Sequence, residues 1–245
     1  MAILTINRPE RMNAMDAEHY AALSESWIRI RDDPAIRVAV ITGAGLKSFS
    51  TGADLKAVKD LPLSETWLTQ KGQLLNRGLE VWKPVIAAVN GYCMGGGMTL
   101  LLGTDIRVSV PHATFALAEV KRGYLPGNGG TQRLMAQLPH AIAMELLLTG
   151  DAIDAETALR WGLINAIVPP DKLMETALAF AHKIAANAPL AVQAAKELAI
   201  RARDVDLNTG LRMEVLANRL LQTTWDVSEG AAAFAAKRPP KFKGE

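Results

Sequence analysis

Three consecutive glycines, Gly95, Gly96 and Gly97, follow the apolar run Pro84-Val-Ile-Ala-Ala-Val-Asn-Gly-Tyr-Cys-Met94 and precede an apolar helical stretch from Met98. Backbone without Cβ atoms lets a ligand come close. Unpaired N–H groups at a helix start favour an anion or a developing oxyanion. The chemistry this points to is chemistry on a carbonyl. Spacing excludes two other glycine loops. A dinucleotide-binding G-x-G-x-x-G fits Gly95 and Gly97 but ends in Leu100; a phosphate-binding loop fails because Gly127-Asn-Gly-Gly130 runs into Thr131-Gln132, with no lysine. A triple glycine also lets a helix pack tightly on a strand, so the loop alone leaves both uses open.

Glu119 is the leading acid/base candidate. It lies among apolar neighbours in Phe115-Ala-Leu-Ala-Glu-Val120, and a desolvated carboxyl exchanges protons nearer neutral pH. An ion pair with Lys121 or Arg122 is the competing local reading. Cys93, the only cysteine, sits in an apolar run and reads as a small core residue. His19, His112, His140 and His182 form no metal-binding spacing, so no metal is expected. Asn128, between glycines, reads as a left-handed turn residue.

The 245 residues carry 49% hydrophobic and 21% charged residues and a net charge of +2. That is an ordinary globular balance, too mildly basic to argue for nucleic acid. The basic tail Lys237-Arg-Pro-Pro-Lys-Phe-Lys243 reads as a solvated end. Charges at Arg8, Glu10 and Arg11 break any leader-like apolar start, and no apolar run reaches membrane-spanning length. One cysteine fits a reducing compartment, and a cytoplasmic location is expected.

The elements that position these residues alternate strand and helix. Apolar runs predict strands at 3–7, 38–42, 85–89, 106–110 and 164–168. Asp16 is a helix N-cap candidate, with Tyr20, Leu23, Trp27 and Ile30 recurring at helical spacing as an apolar stripe. Asp54 is expected to begin a helix, 61–75 has weak patterning, and helices are predicted at 141–149 and 155–161. Beyond Pro169-Pro170 the pattern is wholly helical: 173–186, 190–203, 207–221 and 228–236.

Several motifs, in order, resemble the crotonase family, also called the enoyl-CoA hydratase/isomerase family. They are Val38-Ala-Val-Ile-Thr-Gly43, Phe49-Ser-Thr-Gly-Ala-Asp-Leu-Lys56, the glycine segment, the stretch from Phe115 to Leu134, Leu148-Thr-Gly-Asp151 and Ala158-Leu-Arg-Trp-Gly-Leu-Ile-Asn165. The likeness implies an α/β fold: a ββα spiral core over 1–188 carrying a CoA-thioester site. A C-terminal helical region, 189–245, would serve trimer formation, with two trimers commonly stacked into a hexamer. It also implies that the chain begins inside the family's usual first hairpin, leaving a short N-terminal strand outside it.

For the site, the resemblance implies an acyl-CoA thioester substrate and no separate cofactor, coenzyme A being part of the substrate. The backbone N–H groups of Ala53 and Gly96 would polarise the thioester carbonyl, and Glu119 would be one of the family's catalytic glutamates. Ala53, Asp54, Leu55 and Lys56 match the stretch that holds coenzyme A; Arg8, Arg11 and Lys56 are candidate phosphate partners. One departure decides the expected reaction. Hydratases carry a second glutamate in Gly-Gly-Gly-x-Glu, where this chain has Thr99, which hydrogen-bonds a water but is a poor base. A single glutamate is expected to isomerise 3-enoyl-CoA to 2-enoyl-CoA. Hydration or dehydration, including a carnitinyl-CoA-type dehydration, is the alternative, with Thr99 orienting water. Hydrolysis, C–C cleavage and a non-catalytic acyl-CoA-binding subunit follow. Neither nucleic acid nor membrane is expected as a partner.

Overall fold

A computed structural model describes residues 1–57, 74–75 and 77–245. Strands β1 (Ala2–Ile6), β2 (Ala39–Gly43), β3 (Ser48–Ser50), β4 (Val85–Val89), β5 (Tyr92–Met94), β6 (Ile106–Ser109), β7 (Thr114–Ala116), β8 (Ile153–Asp154) and β9 (Ala166–Ile167) fall into two sheets. One runs β1-β2-β4-β6-β9, all parallel; the other runs β3-β5-β7-β8, with only the β7–β8 pair antiparallel. Successive strand pairs β2–β3, β4–β5 and β6–β7 give one strand to each sheet. The chain therefore winds as the expected ββα spiral. All five residues of β4 are buried, which explains its unbroken apolar sequence.

Among the described residues the helices are α1 (Ala17–Asp32), α2 (Gly96–Leu101), α3 (Gly130–Gln137), α4 (His140–Thr149), α5 (Ala155–Arg160), α6 (Leu173–Ala185), α7 (Pro189–Arg201), α8 (Leu207–Leu221) and α9 (Trp225–Ala235). Asp16 caps α1 as expected, its carboxylate accepting from the His19 N–H at 3.1 Å. Trp27 and Ile30 are buried against the core. Leu173, Ala177 and Ala181 of α6 are buried where that helix crosses β2, β4 and β6. Among the described residues no helix is long and apolar enough to cross a membrane.

Arg107 fixes the far end of α2. Its guanidinium donates to the carbonyls of Leu102 (3.4 Å), Thr104 (2.9 Å) and Leu163 (3.0 Å) and to Gln137 Oε1 (2.8 Å). A cation there satisfies carbonyls the helix leaves open and faces the negative end of its dipole. Burial lowers the Arg107 pKa to about 10, so the charge persists at neutral pH.

Several expectations need correction. The glycine helix starts at Gly96, two residues before Met98. Residues 54–57 form a turn, closed by the Ala57 N–H donating to the Asp54 carbonyl at 2.9 Å; the rest of the helix expected from Asp54, and most of the weakly patterned 61–75, fall in 58–73, outside the described residues. Helix α3 and the second sheet were not anticipated.

The basic tail is exposed, as expected of a solvated end, but it does not hang free. Glu229 takes a paired contact from the Arg238 guanidinium at 2.6 and 2.8 Å and the Lys241 N–H at 2.7 Å. Asp226 accepts from the N–H groups of Lys243 (2.7 Å) and Gly244 (2.9 Å), and the Lys243 ammonium lies 4.4 Å from the Trp225 ring centre. The tail is thus clamped onto α9. The Arg238 hydrogen bonds, helped by Lys241, lower the Glu229 pKa from 4.5 to about 2. A lowered carboxyl pKa stabilises the fold above its unfolded value, and the gain fades as pH falls through the folded one. Thermal melts should therefore show wild-type stability falling between pH 4.5 and 2 by more than that of Glu229→Gln. Parallel losses in the two proteins would contradict the clamp.

Candidate active site

The site is built where the loop after β3 meets the turn before α2. Asn13 anchors the first side, donating to the carbonyls of Ser48 (2.7 Å) and Ala44 (3.0 Å). Ser50 Oγ donates to the Asn13 carbonyl at 2.8 Å and accepts from the Gly52 N–H at 3.1 Å. The Met15 N–H donates to the Gly52 carbonyl (2.7 Å) and the Asp54 N–H to the Met15 carbonyl (2.9 Å). Ala53, held between these bonds, presents its backbone toward the glycine turn.

The approach of the two loops tolerates no side chain. A Cβ on Gly52, whose φ is +87°, would lie 2.5 Å from the Gly96 nitrogen. A Cβ on Gly96 would lie 3.1 Å from Gly52 Cα and 3.4 Å from the Ala53 nitrogen. The structure thus brings Ala53 and Gly96 together. Gly96 is the first residue of α2, so its N–H has no acceptor within the helix. Two N–H groups side by side at a helix start can stabilise an oxyanion.

Glu119 begins the single helical turn Glu119–Arg122 after β7. Its side chain reaches back to the glycine turn: a Cβ on Gly95 would lie 3.3 Å from Oε1. The residue is only 7% exposed, and Oε2 is buried without a hydrogen-bond partner. The ion pair that local sequence offered does not form. Lys121 instead bonds Asp151, and Arg122 donates to the Ala118 carbonyl at 3.1 Å. Burial raises the Glu119 pKa above 4.5, against smaller opposing effects of its own backbone and Arg122. A carboxyl so placed suits proton transfer.

Thr99 is buried one turn into α2, its hydroxyl donating to the Gly96 carbonyl at 3.1 Å. Its methyl faces Gly130, where a Cβ would lie 2.9 Å away. Of the candidate coenzyme contacts, Arg8 is engaged within the protein. Its Nη1 meets Asp54 Oδ2 at 2.7 Å and Asp16 Oδ2 at 3.4 Å. The Arg8 bond, with the Lys56 N–H, holds the Asp54 carboxyl below its ordinary pKa. That pair braces the Ala53 loop against the turn that carries Asn13. Ala53, Leu55, Lys56 and Arg11 are exposed. Asn128 takes φ +54°, the left-handed turn expected of it. Cys93 is fully buried, and burial raises its pKa, as for an inert core thiol. Among the described residues no cluster could hold a metal ion.

Sequence reading missed Tyr20. Its hydroxyl oxygen lies 2.9 Å from where a Cβ on Gly96 would be. Burial raises the phenol pKa above 10.0; Arg77 opposes this, while Glu119 and Tyr124 add to it. On the helical stripe Tyr20 was indistinguishable from a core residue, and only its polar tip marks it.

Comparison with known proteins shows the family to which the chain belongs. The family model described as enoyl-CoA hydratase/isomerase matches residues 1–245. The chain is 46% identical to (E)-benzylidenesuccinyl-CoA hydratase of Thauera aromatica, covering 100% of this chain and 96% of that protein. It is 42% identical to carnitinyl-CoA dehydratase of Salmonella arizonae, over 98% and 94% of the two chains. The crystal structure of enoyl-CoA hydratase from Bacillus anthracis superposes with a TM-score of 0.91 at 36% identity, covering 99% of this chain and 95% of that one. The chain is an enzyme of the enoyl-CoA hydratase/isomerase, or crotonase, family.

Proposed function

We propose that this enzyme adds water across the double bond of a 2-enoyl-CoA, or runs the reverse dehydration. The observation that carries the reading is the buried Glu119 carboxyl, its Oε2 without a hydrogen-bond partner, beside the turn that pairs the Gly96 and Ala53 N–H groups. The hydratase and dehydratase names of the 46% and 42% identical relatives favour it over the isomerisation expected from sequence.

The chemistry needs one carboxylate. Glu119 takes a proton from water as the water oxygen bonds to C3. The electrons of the C2–C3 double bond move onto the thioester oxygen, where Ala53 and Gly96 donate to the developing charge. As the enolate collapses, C2 takes the proton back from Glu119. Water is added in full and the carboxylate is regenerated. Coenzyme A arrives as part of the substrate, and no separate cofactor enters. The exposed backbone and side chains around Asp54, Leu55, Lys56 and Arg11 are its proposed contacts; Arg8 supports them through Asp54.

A second reading has its own observation. Thr99 stands where a second glutamate would hold water, and its hydroxyl already donates to Gly96. In isomerisation Glu119 takes a proton from C2 of a 3-enoyl-CoA and returns it at C4, with no water to hold.

A parallel assay on a 2-enoyl-CoA and a 3-enoyl-CoA separates the two. Hydration of the 2-enoyl ester is expected, with Glu119→Gln lowering kcat by roughly 10²- to 10⁴-fold. The acid limb of kcat/KM should lie above pH 4.5, because burial raises the pKa of the base. Conversion of the 3-enoyl ester without hydration would establish the second reading instead.

We also propose that 189–245 forms the face of a homotrimer, two of which stack into a hexamer. Leu207, Leu211, Val215, Leu216 and Leu220 leave an exposed apolar stripe along α8. Light scattering after size exclusion should give three or six chains; a monomer would contradict it.

A further inference from the structure

The point a Cβ on Gly96 would occupy lies 3.4 Å from the Ala53 nitrogen and 2.9 Å from the Tyr20 hydroxyl oxygen, and directly beside the Gly96 N–H. Three donors therefore converge beside Gly96, with Gly52 Cα also 3.1 Å from that point. Two of them are the backbone groups assigned to the thioester oxygen. The third arrives from α1, four residues beyond the Asp16 cap, on a helix locked by Trp27 and Ile30 in the core.

The Tyr20 hydroxyl has no hydrogen-bond partner among the described residues, although its ring is half-buried. A half-buried phenol with no protein acceptor gives its hydrogen bond to water or to a bound ligand. Its environment, with the Glu119 charge nearby, keeps it protonated and hence a donor. Thr99 is differently placed, because its hydroxyl is turned back into α2.

We infer that Tyr20 is the third donor of the oxyanion site, its hydroxyl donating to the thioester oxygen of the bound acyl-CoA. The inference rests on the reading that Ala53 and Gly96 hold that oxygen. No proton changes hands: the phenol keeps its hydrogen and its bond shortens as charge moves from the acyl chain onto oxygen. A donor fixed before the reaction contributes most where the charge is greatest, so Tyr20 acts on the enolate more than on the bound ester. The missing second glutamate makes such help useful, since one carboxyl then both activates water and returns the proton.

The experiment is infrared difference spectroscopy of a saturated acyl-CoA, labelled with ¹³C at the thioester carbonyl, bound to wild type and to Tyr20→Phe. Phenylalanine keeps the ring and its packing; Tyr20→Met serves if that variant does not fold. In wild type the carbonyl band should fall below that of the free ligand. In the variant it should move part of the way back, with kcat/KM on a 2-enoyl-CoA lowered about tenfold or more. An identical band in both proteins would overturn the inference, whatever the variant's activity, because a structural role would change turnover without depolarising the carbonyl. An unshifted wild-type band would instead remove the oxyanion reading beneath it.

Discussion

The contact between Gly52 and Gly96 is the constraint on which the site depends. Two loops from different turns of the spiral meet there backbone to backbone, at distances no Cβ would allow. Only that approach puts the Ala53 N–H beside the first N–H of α2. The rest of the molecule holds the two loops at this separation. Asn13, Ser50 and the Arg8–Asp54 pair fix one loop. Arg107 and the buried strand β4 fix the other through the two ends of the segment that carries α2.

Around this contact the charges are unevenly solvated, and that unevenness is useful. Asp54 keeps an arginine and stays ionised as part of the scaffold. Glu119, without such a partner and largely out of water, sits where its proton is exchangeable. Two carboxyls of one fold thus differ in role because one is paired and the other is desolvated. Tyr20 belongs with the second group, a polar atom carried into the site on an otherwise apolar face.

Much of this was legible in the sequence where one segment decided the outcome. The run at 85–89 is buried on both faces and so reads as a strand without alternation. The apolar neighbours of Glu119 foretold its desolvation, and the glycines around Asn128 its turn. What escaped depends on distant partners. Strands β3, β5, β7 and β8 have two or three residues each, too few to show a period. Arg8 read as a phosphate partner and Arg238 as part of a solvated tail until the fold brought Asp54 and Glu229 to them. Tyr20 fits a helical stripe perfectly well; nothing local reveals that its hydroxyl ends at a glycine turn 76 positions further along.

A crystal structure with a bound saturated acyl-CoA would be the most direct measurement. The thioester oxygen should accept from both the Ala53 and Gly96 N–H groups, at about 2.7–3.1 Å, with the Glu119 carboxyl against C2 and C3. A thioester oxygen turned away from that pair, or an acyl group bound beyond the reach of Glu119, would contradict the assignment.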